Sequence, residues 1–564
     1  MGRTRKSATS RYLGKEYDMY DSMLYGQEPS PTLPANEPVR SYEPGSPERV
    51  ALDSELRAMA ASPIEIPLLI GGKEVRTGRL KEIRSPHTRS LVLGRYHEAG
   101  EAEAQLAADA AAKAALAWSE TPFQERAAVF RKAAELITRG WWKKLNASTM
   151  LAQSKNTYQA EIDATCETAD FLRINPALAE RLYAEQPRSG LGERNITDYR
   201  PLDGIVYAVT PFNFTAIAAN LPSAPALMGN TVVWKPASSS VLSNWYVYRL
   251  FEAAGLPPGV INFLPGSARS ISAGMLSRPD LAGLHFTGST EVFRSLWKGV
   301  ADNLSLYRSY PRLVGETGGK DFIFVHPDAD MDAAIAACVR GAFEYQGQKC
   351  SAASRVYVPR SSSRAFIERL ATEMAAIRVG APDDYTNFVN AVIDEAAFDT
   401  IVGFIERARK NPSCRIVSGG TYDKTEGFFI TPTLIESDDP RSETMAEEIF
   451  GPVLTLYAYD DSNMAAAYEL VDTTSPYALT GAIFARDRAD IIEATRALRN
   501  AAGNFYINDK PTGAVVGRQP FGGSRGSGTN DKAGSFLNLV RWTSPRTIKE
   551  TFAPVSDWRY PFLG

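Results

Sequence analysis

A cysteine set in polar text is the first residue here whose chemistry asks for an explanation. Gly347-Gln348-Lys349-Cys350-Ser351 surrounds Cys350 with groups that hydrogen-bond and carry charge. Cys338 is different, because it falls on an apolar helical stripe with Ile335, Val339 and Ala342. A lone cysteine is usually a small buried hydrophobe, and Cys338 fits that description. Cys350 reads instead as a nucleophile, whose thiolate adds to an electrophilic carbonyl carbon and departs when the acyl group is transferred. Lys349 beside it is expected to lower its pKa. Glu316 stands 34 residues earlier, after apolar Leu313 and Val314 and before Gly318-Gly319. Partial burial there would raise a carboxyl toward the range of a working general base. Phe286-Thr287-Gly288-Ser289 ends a strand and opens a helix, so free N–H groups and the helix dipole can receive a phosphate.

These groups need a scaffold, and the text supplies an α/β one. The chain has 564 residues, 44% hydrophobic and 23% charged, with a net charge of −3. That length exceeds one hydrophobic core, so two or three domains are expected. The balance of charge gives no nucleic-acid footprint, and no apolar run approaches a membrane span. Cys166, Cys338, Cys350 and Cys414 form no CxxC pair, and the four histidines lie far apart; this predicts free thiols and no metal cluster. Residues 26–50 are rich in Pro, Ser, Glu and Gly and read as extended, which predicts a flexible leader over 1–58. From 101 to 185 the text is helical, with Phe130, Ala133, Ala134 and Ile137 on one buried face. Strands alternate with helices from 204 onward, which predicts a doubly wound parallel sheet. A second α/β region begins after Gly318-Gly319.

Five segments then belong together: Pro211-Phe212-Asn213-Phe214, Trp234-Lys235-Pro236, Glu316-Thr317-Gly318-Gly319-Lys320, the Cys350 loop, and Glu447-Glu448-Ile449-Phe450-Gly451-Pro452. Their order and spacing resemble the aldehyde dehydrogenase superfamily over roughly residues 60–550. The resemblance implies two doubly wound α/β domains plus a small β oligomerisation flap. It places a nucleotide-binding domain over 59–185 and 206–315 and a catalytic domain over 316–508. The flap and C-terminal segment fall at 186–205 and 535–564, with Phe536–Trp542 strand-like and 186–205 read as hairpin strands. By the same resemblance Cys350 is the nucleophile, Asn213 the oxyanion donor and Glu316 the base that hydrolyses the thioester. Lys235 would bind the adenosine ribose and Glu448 the nicotinamide ribose, with Phe450 and Phe212 beside it and the pyrophosphate at Gly288 and Ser289. The nucleotide fingerprint GxGxxG is absent, and Phe293 stands where many members carry a second Gly. Ser238 occupies a position where NAD-preferring members commonly have an acid, so NAD is implied while NADP stays open.

The C-terminal text, Gly503-Asn504-Phe505-Tyr506-Ile507-Asn508-Asp509-Lys510 through Gln519-Pro520-Phe521-Gly522-Gly523, resembles the branch that oxidises glutamate γ-semialdehyde to glutamate in proline catabolism. Backbone N–H groups at Gly513 and Ala514 would then hold the substrate carboxylate. Ser351 and Lys349 would assist, Glu161 would meet the ammonium, and Phe214 and Phe521 would flank the aliphatic chain. Two rivals stand beside this reading. One is a dehydrogenase of another ω-semialdehyde, which differs only in the anchor pocket. The other is a catalytically retired scaffold, against which the intact Cys350, Glu316 and Asn213 weigh. The resemblance also implies a homodimer or larger assembly and the mitochondrial matrix, with the cytoplasm as the alternative. Arg3, Arg5, Lys6, Arg11 and Lys15 suit a targeting segment and equally a basic tail.

Overall fold

The computed structural model describes residues 33–564. The basic N-terminal segment lies outside the described residues. Two seven-stranded sheets organise the molecule. In the first, Arg312–Glu316, Leu281–Thr287, Ile205–Val209, Thr231–Lys235 and Ile261–Phe263 lie side by side and parallel. The edge strands Leu68–Ile70 and Lys73–Val75 run antiparallel. Every residue of Ile205–Val209, Thr231–Lys235 and Leu281–Thr287 is buried. Such strands carry near-continuous apolar text because helices cover both faces. Helix Glu101–Glu120 lies close, with buried Ala104, Ala107, Ala108 and Ala111.

The second sheet is ordered Cys414–Ser418, Thr433–Ser437, Val453–Tyr459, Ala353–Pro359, Asp321–Val325, Thr480–Phe484 and Asn504–Ile507. All neighbours are parallel except the first pair. The doubly wound expectation therefore holds for both halves. Cys338 packs in the core over this sheet.

Two local expectations are corrected. Residues 33–58 do not form a flexible leader. Ser46 caps helix Pro47–Ala61 by accepting from the Arg49 N–H, and Leu52, Leu56 and Met59 are buried along it. Tyr42 is buried too and donates to Glu161 Oε2 at 2.6 Å. A Pro-rich composition does not reveal apolar anchors this widely spaced. The other correction concerns Phe536–Trp542, which is not a strand: Phe536–Val540 is a short helix capped by Ser535. Leu539 and Trp542 point inward three residues apart, a helical spacing that five apolar residues cannot distinguish from a strand in advance. The strand follows, at Ser544–Thr551, and pairs antiparallel with a single strand Glu193–Arg200 instead of closing a hairpin within 186–205.

Candidate active site

The parallel strands of the first sheet deliver their C-terminal ends to one place. Lys235, Gly288 and Glu316 all stand at or just beyond such ends, and the Phe212–Asn213–Phe214 turn follows Ile205–Val209. Open α/β sheets bind ligands at this edge. The turn is held by Asp163, whose carboxylate accepts from the N–H groups of Thr215 and Ala216 at 2.9 Å each. Those N–H groups open helix Thr215–Leu227 and have no acceptor within it. Lys155 neutralises Asp163 at 2.7 Å, with both side chains buried.

The nucleophile loop is built with more constraint. Tyr345, Gln346 and Gly347 adopt left-handed backbone at φ of 52°, 55° and 67°. A Cβ on Gly347 would stand 2.2 Å from the carbonyl oxygen of Gly451, so only glycine fits. Gln346 donates to the carbonyls of Ser154 and Ala391 and accepts from the Asn390 N–H; Gln348 accepts from the Ile393 N–H. The loop is thus pinned by side-chain amides where regular structure stops. Asn213 Nδ2 donates to the Gln348 carbonyl at 3.2 Å, which ties it to the loop two residues before Cys350 and leaves its second N–H outside that bond, though Asn213 does not itself line the chamber.

Cys350 and Glu316 line a single chamber of about 350 Å³. Burial pushes the Cys350 thiol well above its ordinary value, and the carboxyls of Asp321, Glu448 and Glu316 push it the same way. The expected lowering by Lys349 is corrected: its ammonium pairs with Glu344 at 3.0 Å. Glu316 retains some exposed surface, yet its carboxyl is raised well above the usual range by desolvation, while the Gly523 N–H, donating at 2.9 Å, works against the rise. Burial thus biases both candidate reacting groups toward their neutral forms.

Ser351, Gly513, Ala514, Phe214, Phe521 and Lys349 line the same chamber. Ser351 and Thr512 share a hydroxyl hydrogen bond at 2.8 Å, which ties the nucleophile loop to the glycine loop. Gly513 has φ of +91°. Arg340, Glu344 and Lys510 also contribute to the wall. Burial works against Glu344 ionising, but Lys349, Lys510 and Arg340 hold it below the usual carboxylate range.

Glu161 is a correction. It is fully buried, paired with Arg40 at 2.8 Å and bonded to Tyr42 and Asn146, and it does not line the chamber. Glu167 does line it, and burial raises its carboxyl to about 8. Residues Glu161–Glu167 form a π-helical turn. The resemblance selected Glu161 from a turn that also carries Asp163 and Glu167, and the residue order alone does not tell which of the three acids faces the chamber.

The nucleotide residues form a separate group. Glu448 Oε1 accepts from the Gly319 N–H at 2.9 Å, and a Cβ on Gly318 would lie 2.2 Å from Glu448 Oε2. Burial raises Glu448 to about 7. Phe450 (φ 55°) meets Phe212 edge-on at 5.9 Å. Gly288 precedes Ser289, which caps helix Thr290–Asp302 by accepting from the Val292 N–H. Phe293 stacks on Phe286 beneath that turn, at the spot a Cβ on Gly315 would occupy. Lys235 is buried, with its pKa lowered to about 8 by that burial, and Ser238 opens a short 3₁₀ turn three residues on. A helix N-terminus, a glycine floor under a carboxylate and a buried lysine at a strand end together fit a dinucleotide. Among the described residues, His326, Asp328 and Asp490 bring possible metal-ligand atoms together, but none of them lines the chamber.

The comparisons with known proteins match nearly the whole chain to one family. Residues 75–548 match the aldehyde dehydrogenase family model. The mitochondrial delta-1-pyrroline-5-carboxylate dehydrogenase of Dictyostelium discoideum is 50% identical over 535 residues, covering 94% of this chain and 96% of that one. The mitochondrial mouse protein of the same name is 47% identical over 529 residues, covering 94% of each. The NAD-bound crystal structure of the delta-pyrroline-5-carboxylate dehydrogenase from Mycobacterium tuberculosis matches with a TM-score of 0.91 at 51% identity, covering 94% of this chain and 98% of that one. Read with the geometry around Cys350, these matches establish that the chain belongs to the aldehyde dehydrogenase family.

Proposed function

We propose that this protein oxidises L-glutamate γ-semialdehyde, the open form of Δ1-pyrroline-5-carboxylate, to L-glutamate with NAD, in proline catabolism. The observation that carries the reading is the shared chamber. It holds Cys350 and Glu316 together with a glycine loop, a cation-rich wall and the half-buried acid Glu167. A zwitterionic substrate fits that distribution: its carboxylate meets the N–H groups of Gly513 and Ala514 near Ser351 and Lys349, and its ammonium meets Glu167. Phe214 and Phe521 take the methylenes.

The Cys350 thiol passes its proton to water in the chamber, and the resulting thiolate sulfur adds to the aldehyde carbon as the carbonyl π bond opens onto oxygen. The developing oxyanion is stabilised by the free Asn213 N–H and the Cys350 backbone N–H. When bound, the nicotinamide of NAD supplies the hydride acceptor that turns the thiohemiacetal into a thioester. Lys235, Gly288, Ser289, Glu448, Phe450 and Phe212 would hold that nucleotide, and Ser238 sits where it meets the ribose hydroxyls. Glu316 then takes a proton from water, hydroxide attacks the thioester carbon, and the Cys350 sulfur leaves. A kcat/KM panel of ω-semialdehydes with NAD and then NADP tests the reading; glutamate semialdehyde failing to lead it would sink the substrate assignment.

Two further proposals follow from surface and relatives. The paired strands Glu193–Arg200 and Ser544–Thr551 lead into a tail with exposed Phe552, Val555, Trp558, Tyr560 and Phe562. So much exposed apolar surface suits a second copy of the chain, and light scattering on the full chain and on one ending at Thr551 tests it. A mitochondrial location is supported by the names of the Dictyostelium and mouse relatives and by the basic residues before Glu16. No helix among the described residues is long and apolar enough to cross a membrane.

A further inference from the structure

The chamber has a wall contributed from the far end of the chain. Asn36, Glu37 and Val39 line it, within a stretch over 33–43 that has no helix or strand of its own. Asn36 uses its whole amide. Its Nδ2 donates to Asp170 Oδ2 and to the Val516 carbonyl, each at 2.8 Å, and its Oδ1 accepts from Arg518 Nε at 2.9 Å. The Glu37 N–H donates to Asp170 Oδ1 at 2.8 Å, and the Glu37 carboxylate pairs with Arg173 at 2.9 Å. Leu33 packs beside Gly517. One neutral side chain thus joins the N-terminal strap, helix Thr168–Ala184 and the segment that begins at Gly513.

Between Asn504–Ile507 and Ser524–Arg525 the chain has no regular element. Near Gly513 it is held by the Ser351–Thr512 hydroxyl pair and by a turn in which the Val515 carbonyl accepts from the Arg518 and Gln519 N–H groups, and Asn36 ties that turn to helix Thr168–Ala184. Val516 and Arg518 lie two and four residues beyond Ala514, so clamping them limits where the Gly513 and Ala514 N–H groups stand relative to Cys350. Only an amide offers two donors and an acceptor in this geometry. An aspartate there would set a second carboxylate against Asp170, and an alkyl group would leave Asp170 and the Val516 carbonyl short of a donor.

We propose that Asn36 is a positioning residue that fixes the 513–516 loop for capture of the substrate's remote carboxylate, so that the N-terminal strap is part of the specificity apparatus. This rests on the chamber accepting glutamate semialdehyde. Small errors in the placement of a bound group reduce rate or affinity steeply, and here the error falls on the remote end alone.

The test uses the full chain, two aldehydes and one inhibitor. Glutamate semialdehyde carries the remote carboxylate and propanal lacks it; L-glutamate competes with propanal through that carboxylate. For Asn36→Ala, KM for glutamate semialdehyde and the inhibition constant for L-glutamate rise together by roughly 10–100-fold, while kcat/KM for propanal falls far less. An unchanged KM and inhibition constant would overturn the proposal, as would equal losses with both aldehydes, since that is what a merely structural residue produces. Arg518→Leu removes one arm of the same clamp and gives the same split in smaller measure, which keeps the test open if Asn36→Ala does not fold. Wild-type enzyme that prefers propanal to glutamate semialdehyde would defeat the substrate reading first and this proposal with it, so the two failures are told apart by the wild-type measurement.

Discussion

The two ends of the chamber are built on opposite electrostatic plans. At one end Cys350 and Glu316 are acids whose pKa values are raised, chiefly by burial; Glu448 and Asp321, outside the lining, are raised in the same way and push the Cys350 thiol up further. At the anchor end Arg340, Lys349 and Lys510 surround the single carboxylate of Glu344, which they keep ionised against its burial. The contrast teaches a division of labour. On the proposed mechanism, groups biased toward their neutral forms stand where protons would move, and surplus positive charge stands where the substrate carboxylate would dock. Glu167 is the exception on the substrate side, a half-buried acid raised to about 8 by desolvation that an ammonium would draw into its ionised form.

That division can be broken by substitution, beginning with the largest expected effect. Cys350→Ser should lower hydride production by roughly 10⁴–10⁶-fold, measured as the pre-steady-state formation of NADH. Unchanged turnover would remove the nucleophile from the reacting end. Glu316→Gln should preserve a burst of NADH while the steady rate falls by about 10²–10⁴-fold. Because the Glu316 pKa is raised, the active ionised fraction grows as pH climbs, so the wild-type steady rate should rise with pH and that limb should vanish in the variant. Equal loss of burst and steady rate would mean that Glu316 has no separate role in deacylation. Asn213→Ala should cost about 10²–10³-fold in kcat, the usual worth of one oxyanion donor.

The smallest effect sharpens the contrast between two neighbouring acids. Glu167→Gln should raise KM for glutamate semialdehyde by roughly 10–100-fold, as loss of a charged hydrogen bond does, and leave propanal oxidation little changed. In the wild type that KM should fall as pH rises toward 8, where Glu167 ionises, and the variant should lose the dependence. Glu161→Gln should act on stability instead and lower the melting temperature, because Arg40, Tyr42 and Asn146 lose a buried anionic acceptor. Swapped phenotypes for the two glutamates would reverse the correction made above.

Much of the chemistry was legible in the residue order because its signals are local. A cysteine between Lys349 and Ser351 differs from one on an apolar stripe. A glutamate before paired glycines announces close backbone approach, and Thr231–Lys235 and Val453–Tyr459 carry the apolar text of doubly covered strands. Such features depend on a few consecutive side chains and are weak singly; the order and spacing of five such segments, which resemble the aldehyde dehydrogenase superfamily, supplied their roles.

Tertiary structure decided the rest, where the outcome depends on groups distant along the chain. Glu167 lines the chamber while Glu161 is drawn to Arg40, Tyr42 and Asn146. The pKa of Cys350 is set by burial and by Asp321, Glu448 and Glu316, while adjacent Lys349 is drawn off to Glu344. The packing of residues 33–58 depends on Asp170, Glu161 and Val516, more than a hundred positions away. Hydrogen bonds and desolvation act over a few ångströms of space, and only the folded chain brings those partners within that range.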